Sequence, residues 1–253
     1  VSRVKARVVI LAGGPRYKLQ EKLGMGSPTA FLRTAQVEVR SSGFEETQVH
    51  LGEGVAPGSF AWMVPFRRNG VEHARIGVSS KQVAAPYLQR FLDRLKETGT
   101  VEAVTAPPRS WGIPMTPLRR TYADRVRAVG DAAGQTTPTT GGGLFYGLVG
   151  AGAAAETVMD GLGKSRFDGV TLKAYEVRWR ARLGREIKIG GFFRRLFEHL
   201  KDSEIDDLFR IVRSDGILRA VTSKARFDWH KDVILLALKH PSLSQIFLKG
   251  LTR

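Results

Sequence analysis

"VGDAAGQTTPTTGGGLFYGLVGAGAAAE", residues 129–156, is the stretch whose reading decides the fold. It has glycines at 130, 134, 141–143, 147, 150 and 152, no Lys or Arg, and one acid, Asp131, before Glu156. "DRVRAVGD" (124–131) reads as a short strand ending at Gly130–Asp131. A turn rich in Thr, Pro and Gly follows, then a helix of small residues from about Gly143 to Met159. A helix N-terminus presents unpaired N–H groups and roughly half a unit of positive charge, which suits an anionic or polar ligand. Glycines 141–143 at that start let the backbone approach a ligand with no Cβ in the way. Gly147, Ala151, Ala154 and Ala155 allow the helix to pack tightly on a sheet. A carboxylate at the strand end can accept hydrogen bonds from ligand hydroxyls. Glycines alone also fit a loop leading into a packing helix. The whole order of strand, Gly-Asp, loop with Pro138, Gly-Gly-Gly and small-residue helix is far more specific.

Upstream, "ARVVILAGG" (6–14) reads as a buried, parallel-type strand ending in a glycine turn. "AQVEVR", "TQVHLG", "SFAWMVPF" and "EHARIGVSS" then follow at short spacing between turn-forming segments, which indicates an antiparallel sheet. Alternation puts Ala74, Ile76 and Val78 on one face of the last of these, and Phe60, Trp62 and Val64 on one face of its predecessor. "APYLQRFLDRLKE" has Leu88, Phe91, Leu92 and Leu95 at helical spacing. After Gly163 the period is helical throughout: Leu172, Tyr175, Trp179, Leu183 and Ile187, then Phe193, Leu196, Phe197 and Leu200. Ser203 with Asp206 reads as a capping-box variant, and two further helices meet at Pro241.

Composition bounds the function. Forty Lys and Arg against 24 Asp and Glu give a net charge of +16, which attracts anions such as phosphorylated substrates or lipid headgroups. Hydrophobic residues at 42% are enough for a sizeable core. The absence of cysteine excludes disulfides, thiolate metal sites and a cysteine nucleophile. His50, His73, His199, His230 and His240 show no metal spacing, and no Ser-His-Asp arrangement can be assigned. The apolar window 141–155 is too rich in Gly and Ala for a membrane span, so a cytoplasmic protein is expected, soluble or peripheral on the inner face of the cell membrane.

The opening stretch resembles the second flavin-binding motif of the geranylgeranyl reductase family, flavoproteins related to the aromatic hydroxylases. The resemblance implies FAD, with Gly130 and Asp131 at its ribityl chain and Gly142, Gly143 and Leu144 at the helix start near the isoalloxazine ring; Pro138 belongs to the same motif. "ARVVILAGGPRYKLQEKLG" (6–24) resembles the family's strand and loop, placing Ala12 and Gly14 at the cofactor; Gly13 stands where an aspartate is usual and Tyr17 where a serine is usual. "GVAPGSFAWMVPF" (54–66) resembles the segment that lines the family's lipid pocket, which implies Phe60, Trp62 and Pro65 as substrate-binding residues. The helical C-terminal third also resembles the family.

The fold class implied is α+β: part of a Rossmann-like, aromatic-hydroxylase-type FAD-binding domain (1–30 and 119–163), an antiparallel-sheet substrate domain (31–118) and a C-terminal helical region (164–253). No G-x-G-x-x-G fingerprint with its β-α-β context is present; in the family it is N-terminal and holds the ADP half of FAD. The chain is therefore expected to be a fragment that binds FAD weakly or not at all by itself and is inactive alone. The implied activity is FAD-dependent reduction of C=C bonds in geranylgeranyl chains of membrane lipids or prenyl diphosphates. Its partners would be an isoprenoid lipid, an anionic membrane surface and an electron donor, NAD(P)H or ferredoxin, with no nucleic acid. No residue can be named as the catalytic acid. Two other readings stand beside it. One is a different flavin-dependent monooxygenase or quinone-linked oxidoreductase. The other is a non-enzymatic basic module for membrane or nucleic acid, which leaves the Gly-Asp and glycine-helix arrangement unexplained.

Overall fold

The computed structural model describes residues 3–214 and 217–251. The elements run β1 (Val9–Leu11), α1 (Lys18–Lys22), β2 (Phe31–Ser41), β3 (Gln48–His50), β4 (Ala61–Arg68), β5 (Val71–Ser80), α2 (Ala84–Glu97), β6 (Val101–Val104), β7 (Arg109–Pro114), β8 (Tyr122–Ala123), β9 (Val126–Ala128), a 3₁₀ turn (Gly130–Ala133), α3 (Leu144–Gly163), α4 (Gly169–Phe197), α5 (Asp202–Ser214), α6 (Ile217–Lys224), α7 (Lys231–Lys239) and α8 (Pro241–Leu251). The chain divides into two compact units. One comprises Val1–Phe31, Ile113–Arg194 and Lys224–Leu235; the other comprises Leu32–Gly112, Arg195–Ser223 and Leu236–Arg253. The C-terminal helices are thus shared between the two units.

In the first unit a three-stranded sheet has the order β1-β9-β8, with β1 parallel to β9. The sequence implies a buried β1, but Val9 and Ile10 are 44% and 45% exposed. Among the described residues β1 is paired on one side only, with β9, so this apolar run stays half in solvent. Against this sheet, α3 and α4 form a core of Tyr146, Ala153, Ala154, Tyr175, Trp179 and Leu183. The three- and four-residue spacing on α4 predicts this stripe, and Leu172, Tyr175, Trp179 and Leu183 are all fully buried. Trp179 Nε1 donates to Thr121 Oγ1 at 2.9 Å, and Glu176 accepts from the Thr121 N–H at 2.8 Å, so the apolar stripe ends in satisfied polar groups.

The second unit holds an antiparallel sheet of order β3-β4-β5-β2-β6. Ala35, Val37 and Val39, Ala61 and Met63, and Ala74, Ile76 and Val78 turn to one face, where α2 covers them with Leu88, Phe91 and Leu92. Helix α5 opens differently from the expectation. Glu204 Oε2 accepts from the Lys201 N–H at 2.9 Å, while Asp202 caps a loop N–H, of Glu53, at 2.8 Å. One half of a capping box thus forms at Lys201 and Glu204, two residues nearer the chain start than Ser203 and Asp206.

Arg127, on the central strand β9, is fully buried, and its Nε, Nη1 and Nη2 have no hydrogen-bond partner among the described residues. Burial lowers its pKa from the ordinary guanidinium value. An unpaired buried charge is expensive, and an apolar side chain of similar volume removes that cost. Arg127→Met should therefore raise the stability of the chain by about 1–4 kcal/mol in urea unfolding. A loss of stability would mean that the guanidinium has a partner.

Candidate functional site

β1 and β9 run in parallel, so their carboxyl ends lie side by side, and the Val129 N–H donates to the Leu11 carbonyl at 3.0 Å. Ala12 and Gly14 leave the first strand at the same end where Gly130 and Asp131 leave the second. In open α/β sheets, ligands are held at this end of the strands. Gly14 has φ +71° and open space where a side chain would stand, and Ala12 is exposed. Tyr17 ties the loop down, because its hydroxyl donates to the Asp131 carbonyl at 2.7 Å. Tyrosine in place of the usual serine thus supplies a structural contact to the very residue at issue.

Gly130 turns the chain with φ +62°, and its Cα faces that of Gly147, one turn into α3. A Cβ on Gly147 would stand 3.4 Å from Gly130 Cα. The helix start is thereby pressed against the strand end. Gly143, the residue before α3, has no side-chain cap, and a Cβ there would strike Asp131 Oδ1. Asp131 therefore points at the mouth of the helix. Its carboxylate accepts no hydrogen bond from any described residue, and burial raises its pKa from the ordinary aspartate value. A half-buried carboxylate facing unpaired helix N–H groups, with no Cβ between them, forms a cradle of one acceptor and several donors.

The loop between them is held from within. Gln135, fully buried, accepts the Gly130 N–H at 2.9 Å and donates to Tyr175 Oη at 3.0 Å; Tyr175 in turn donates to the Ala128 carbonyl at 2.5 Å. Gly150 leaves room for that amide, since a Cβ there would stand 2.7 Å from Gln135 Cδ. Thr136 Oγ1 donates to the Pro114 carbonyl, and the Thr137 N–H donates to the Gly142 carbonyl at 2.7 Å.

The expected residues fall into three groups. Ala12, Gly14, Gly130, Asp131, Gly142, Gly143 and Leu144 stand around the strand ends and the helix mouth, with Leu144 81% exposed. Pro138 does not join them: it is buried against Gly190 of α4, and Arg194 Nη1 donates to its carbonyl at 3.4 Å. Its rigid φ shapes the loop from behind. In the second unit Phe60 and Trp62 pack together at 5.9 Å between ring centroids. The Trp62 indole lies over Gly77 and donates to Gln36 Oε1 at 3.2 Å. Pro65 is opposite Ala74 and so shares the α2-covered face with Ala61 and Met63, not the face of Trp62. Strand alternation separates positions 62 and 65, and the implied trio is a pair. Sequence reasoning passes over Gln135, although a lone amide inside a Gly-rich turn is the signal of a side chain serving the backbone. A cavity of about 650 Å³ in the first unit, lined by Met25, Arg119, Arg120, Tyr122 and Glu176 among others, contains none of the expected residues.

The family model described as lycopene cyclase protein matches residues 2–220. Digeranylgeranylglycerophospholipid reductase 2 of Methanothermobacter thermautotrophicus is 29% identical over 86% of this chain and 57% of its own length. A digeranylgeranylglycerophospholipid reductase of Methanocaldococcus jannaschii is 28% identical over 96% of this chain and 62% of its own. The chain thus spans about three-fifths of the length of these curated relatives. The crystal structure of a geranylgeranyl bacteriochlorophyll reductase-like protein from Thermoplasma acidophilum matches 98% of this chain and 62% of its own at 20% identity, with a TM-score of 0.76. At that identity the likeness shows the fold, and it agrees with the α+β class implied by the sequence.

The raised pKa of Asp131 has a direction in stability. The folded chain keeps its proton over the interval where the unfolded chain loses it. Stability should fall as pH rises from the ordinary aspartate range through the raised value, and the loss stands in full above it. Asp131→Asn should remove this slope and melt at a higher temperature than the parent at neutral pH, both without ligand. Melting curves across the acid range check this; an unchanged slope would assign the titration to another group.

Proposed function

The chain belongs to the lycopene cyclase protein family, and from that premise we propose that it is an FAD-dependent oxidoreductase reducing C=C bonds of geranylgeranyl chains on membrane lipids or prenyl diphosphates. One observation carries the proposal: the Asp131 carboxylate, without a protein partner among the described residues, faces the Cβ-free mouth of α3. Its relatives' names support the substrate, since two of them are called digeranylgeranylglycerophospholipid reductases.

The residues present fit a flavin nucleotide. Asp131 is an acceptor for ribityl hydroxyls, and Gly130 brings the chain round to present it. Gly142, Gly143 and the first N–H groups of α3 offer donors where a side chain would block approach. Ala12 and Gly14 leave the neighbouring strand end open. Bound there, FAD supplies the two-electron redox chemistry that the protein's own side chains lack. For the substrate, Phe60 and Trp62 give an aromatic wall held rigid by Gly77 and Gln36. An isolated alkene is a poor hydride acceptor, so a proton must reach one carbon before or as hydride reaches the other. The net charge of +16 supports work at an anionic membrane surface on the cytoplasmic side, with electrons from NAD(P)H or ferredoxin.

The alternative flavin chemistries and cyclisation are separated by product mass. The full-length gene product, supplied with FAD, dithionite and digeranylgeranylglycerophospholipid, should yield products heavier by two hydrogens per double bond. An added oxygen would mean a monooxygenase, and an unchanged mass with altered retention would mean cyclisation. Asp131→Ala should weaken FAD binding, read by flavin fluorescence, by about 10–100-fold, the worth of one or two charge-assisted hydrogen bonds. Equal affinity in parent and variant would remove Asp131 from the site.

A further inference from the structure

The second unit contains a cavity of about 480 Å³ that none of the preceding chemistry uses. Its walls are the end of β3 and the loop after it, the last turns of α2, and the first half of α5. Three polar groups lining it have no protein partner among the described residues: Arg94 and Asp206 are exposed to solvent, and His50 is partly buried. Arg94, on α2, makes no side-chain hydrogen bond or ion pair with any described residue. Asp206, on α5, likewise has none. His50 packs edge-on against Phe91 at 4.9 Å between centroids, and its buried Nε2 has no hydrogen-bond partner among the described residues. Asp202 is different, since it is already engaged by the Glu53 N–H at 2.8 Å.

Arg94 and Asp206, both exposed, line one cavity and form no ion pair, so it presents a cation and an anion to a ligand. A ligand with a single charge would satisfy one and repel the other. A dipolar ligand satisfies both, with its anionic end at Arg94 and its cationic end at Asp206. Burial, and then the neighbouring Arg94, lower the His50 pKa, which leaves a neutral imidazole whose Nε2–H can donate to an anionic oxygen. The remaining wall is apolar. Val49, Val55, Ile205 and Phe209 line it, and Val49 and Phe209 are 60% and 54% exposed, large apolar groups facing solvent at its mouth.

We propose that this cavity binds the headgroup of a zwitterionic phospholipid: the phosphate on Arg94 and His50, the ammonium on Asp206, and the first carbons of the chains on Val49, Ile205 and Phe209. The shared chemistry is a phosphate joined to an ammonium, which a soluble phosphoamine also carries. The site lies within the second unit and requires no flavin, so its test stands apart from that of the proposed activity.

Calorimetric titration of the chain, below the micelle concentration, compares dihexanoyl phosphatidylethanolamine, dihexanoyl phosphatidylglycerol, phosphoethanolamine and inorganic phosphate. The ethanolamine lipid should bind about tenfold more tightly than the glycerol lipid, the worth of one charge-assisted contact. Arg94→Gln should weaken both lipids about tenfold, whereas Asp206→Asn should weaken only the ethanolamine lipid and abolish the preference. Phosphoethanolamine binding as tightly as its lipid would support the charge pairing and assign the head to a soluble source. Equal affinity for the two lipids, or silence of both substitutions, would overturn the proposal. Should a variant fail to fold by circular dichroism, the headgroup preference of the parent chain decides: its presence upholds the site and its absence overturns it.

Discussion

The backbone of Gly130 lies against that of Gly147, and the first unit is arranged around this contact. Glycine is required at 130 by its φ of +62°, a conformation that side chains with a Cβ rarely adopt, whereas a Cβ on Gly147 would only just touch the Gly130 backbone. The contact seats the start of α3 on the end of β9, and the helix N-terminus then opens beside Asp131. Moving either backbone outward by the size of a methyl group would separate the carboxylate from the N–H groups it faces. It would also pull Gln135 from the Gly130 N–H that it accepts.

That close approach leaves polar backbone in the interior, and the loop's own side chains answer it. Gln135, Tyr175 and the Ala128 carbonyl form one chain of hydrogen bonds, and Thr136 takes the Pro114 carbonyl. Each such group left unpaired would cost roughly 1–3 kcal/mol. The Asp131 carboxylate stands outside this network. The buried Thr137 hydroxyl is likewise without a partner among the described residues, so the network does not reach every polar group of the loop. Arg127 is unsatisfied for another reason: it stands on the sheet interior, where no described residue accepts from it.

The second unit divides its labour between the faces of one sheet. The α2 side is a buried apolar layer, mostly aliphatic with Phe91 among it. The other side carries Trp62 laid across Gly77, with Val64 and Phe66 further along the same strand. Glycine at 77 is what allows an indole to lie flat there, since any Cβ would fall within the ring. A large aromatic is thus fixed in place at a half-exposed position without being buried in a core.

Much of this is legible in the residues. Period-two alternation locates the buried face at Ala74, Ile76 and Val78, and three-four spacing locates Leu172, Tyr175, Trp179 and Leu183, because side-chain direction is set by local backbone geometry. The Gly-Asp and Gly-Gly-Gly order locates the strand end and helix start for the same reason. Local pattern cannot say how many neighbours a strand will have, so β1 reads as interior although among the described residues it pairs with β9 alone. Nor can it say which face of a loop is turned inward, which is why Pro138 proves to be packing and Gln135 to be the clamp. The sequence by itself determined the elements and their apolar faces. Only the tertiary structure decided which polar groups find partners and which, like Asp131, are left to meet something else, because hydrogen-bond satisfaction depends on residues distant in the chain.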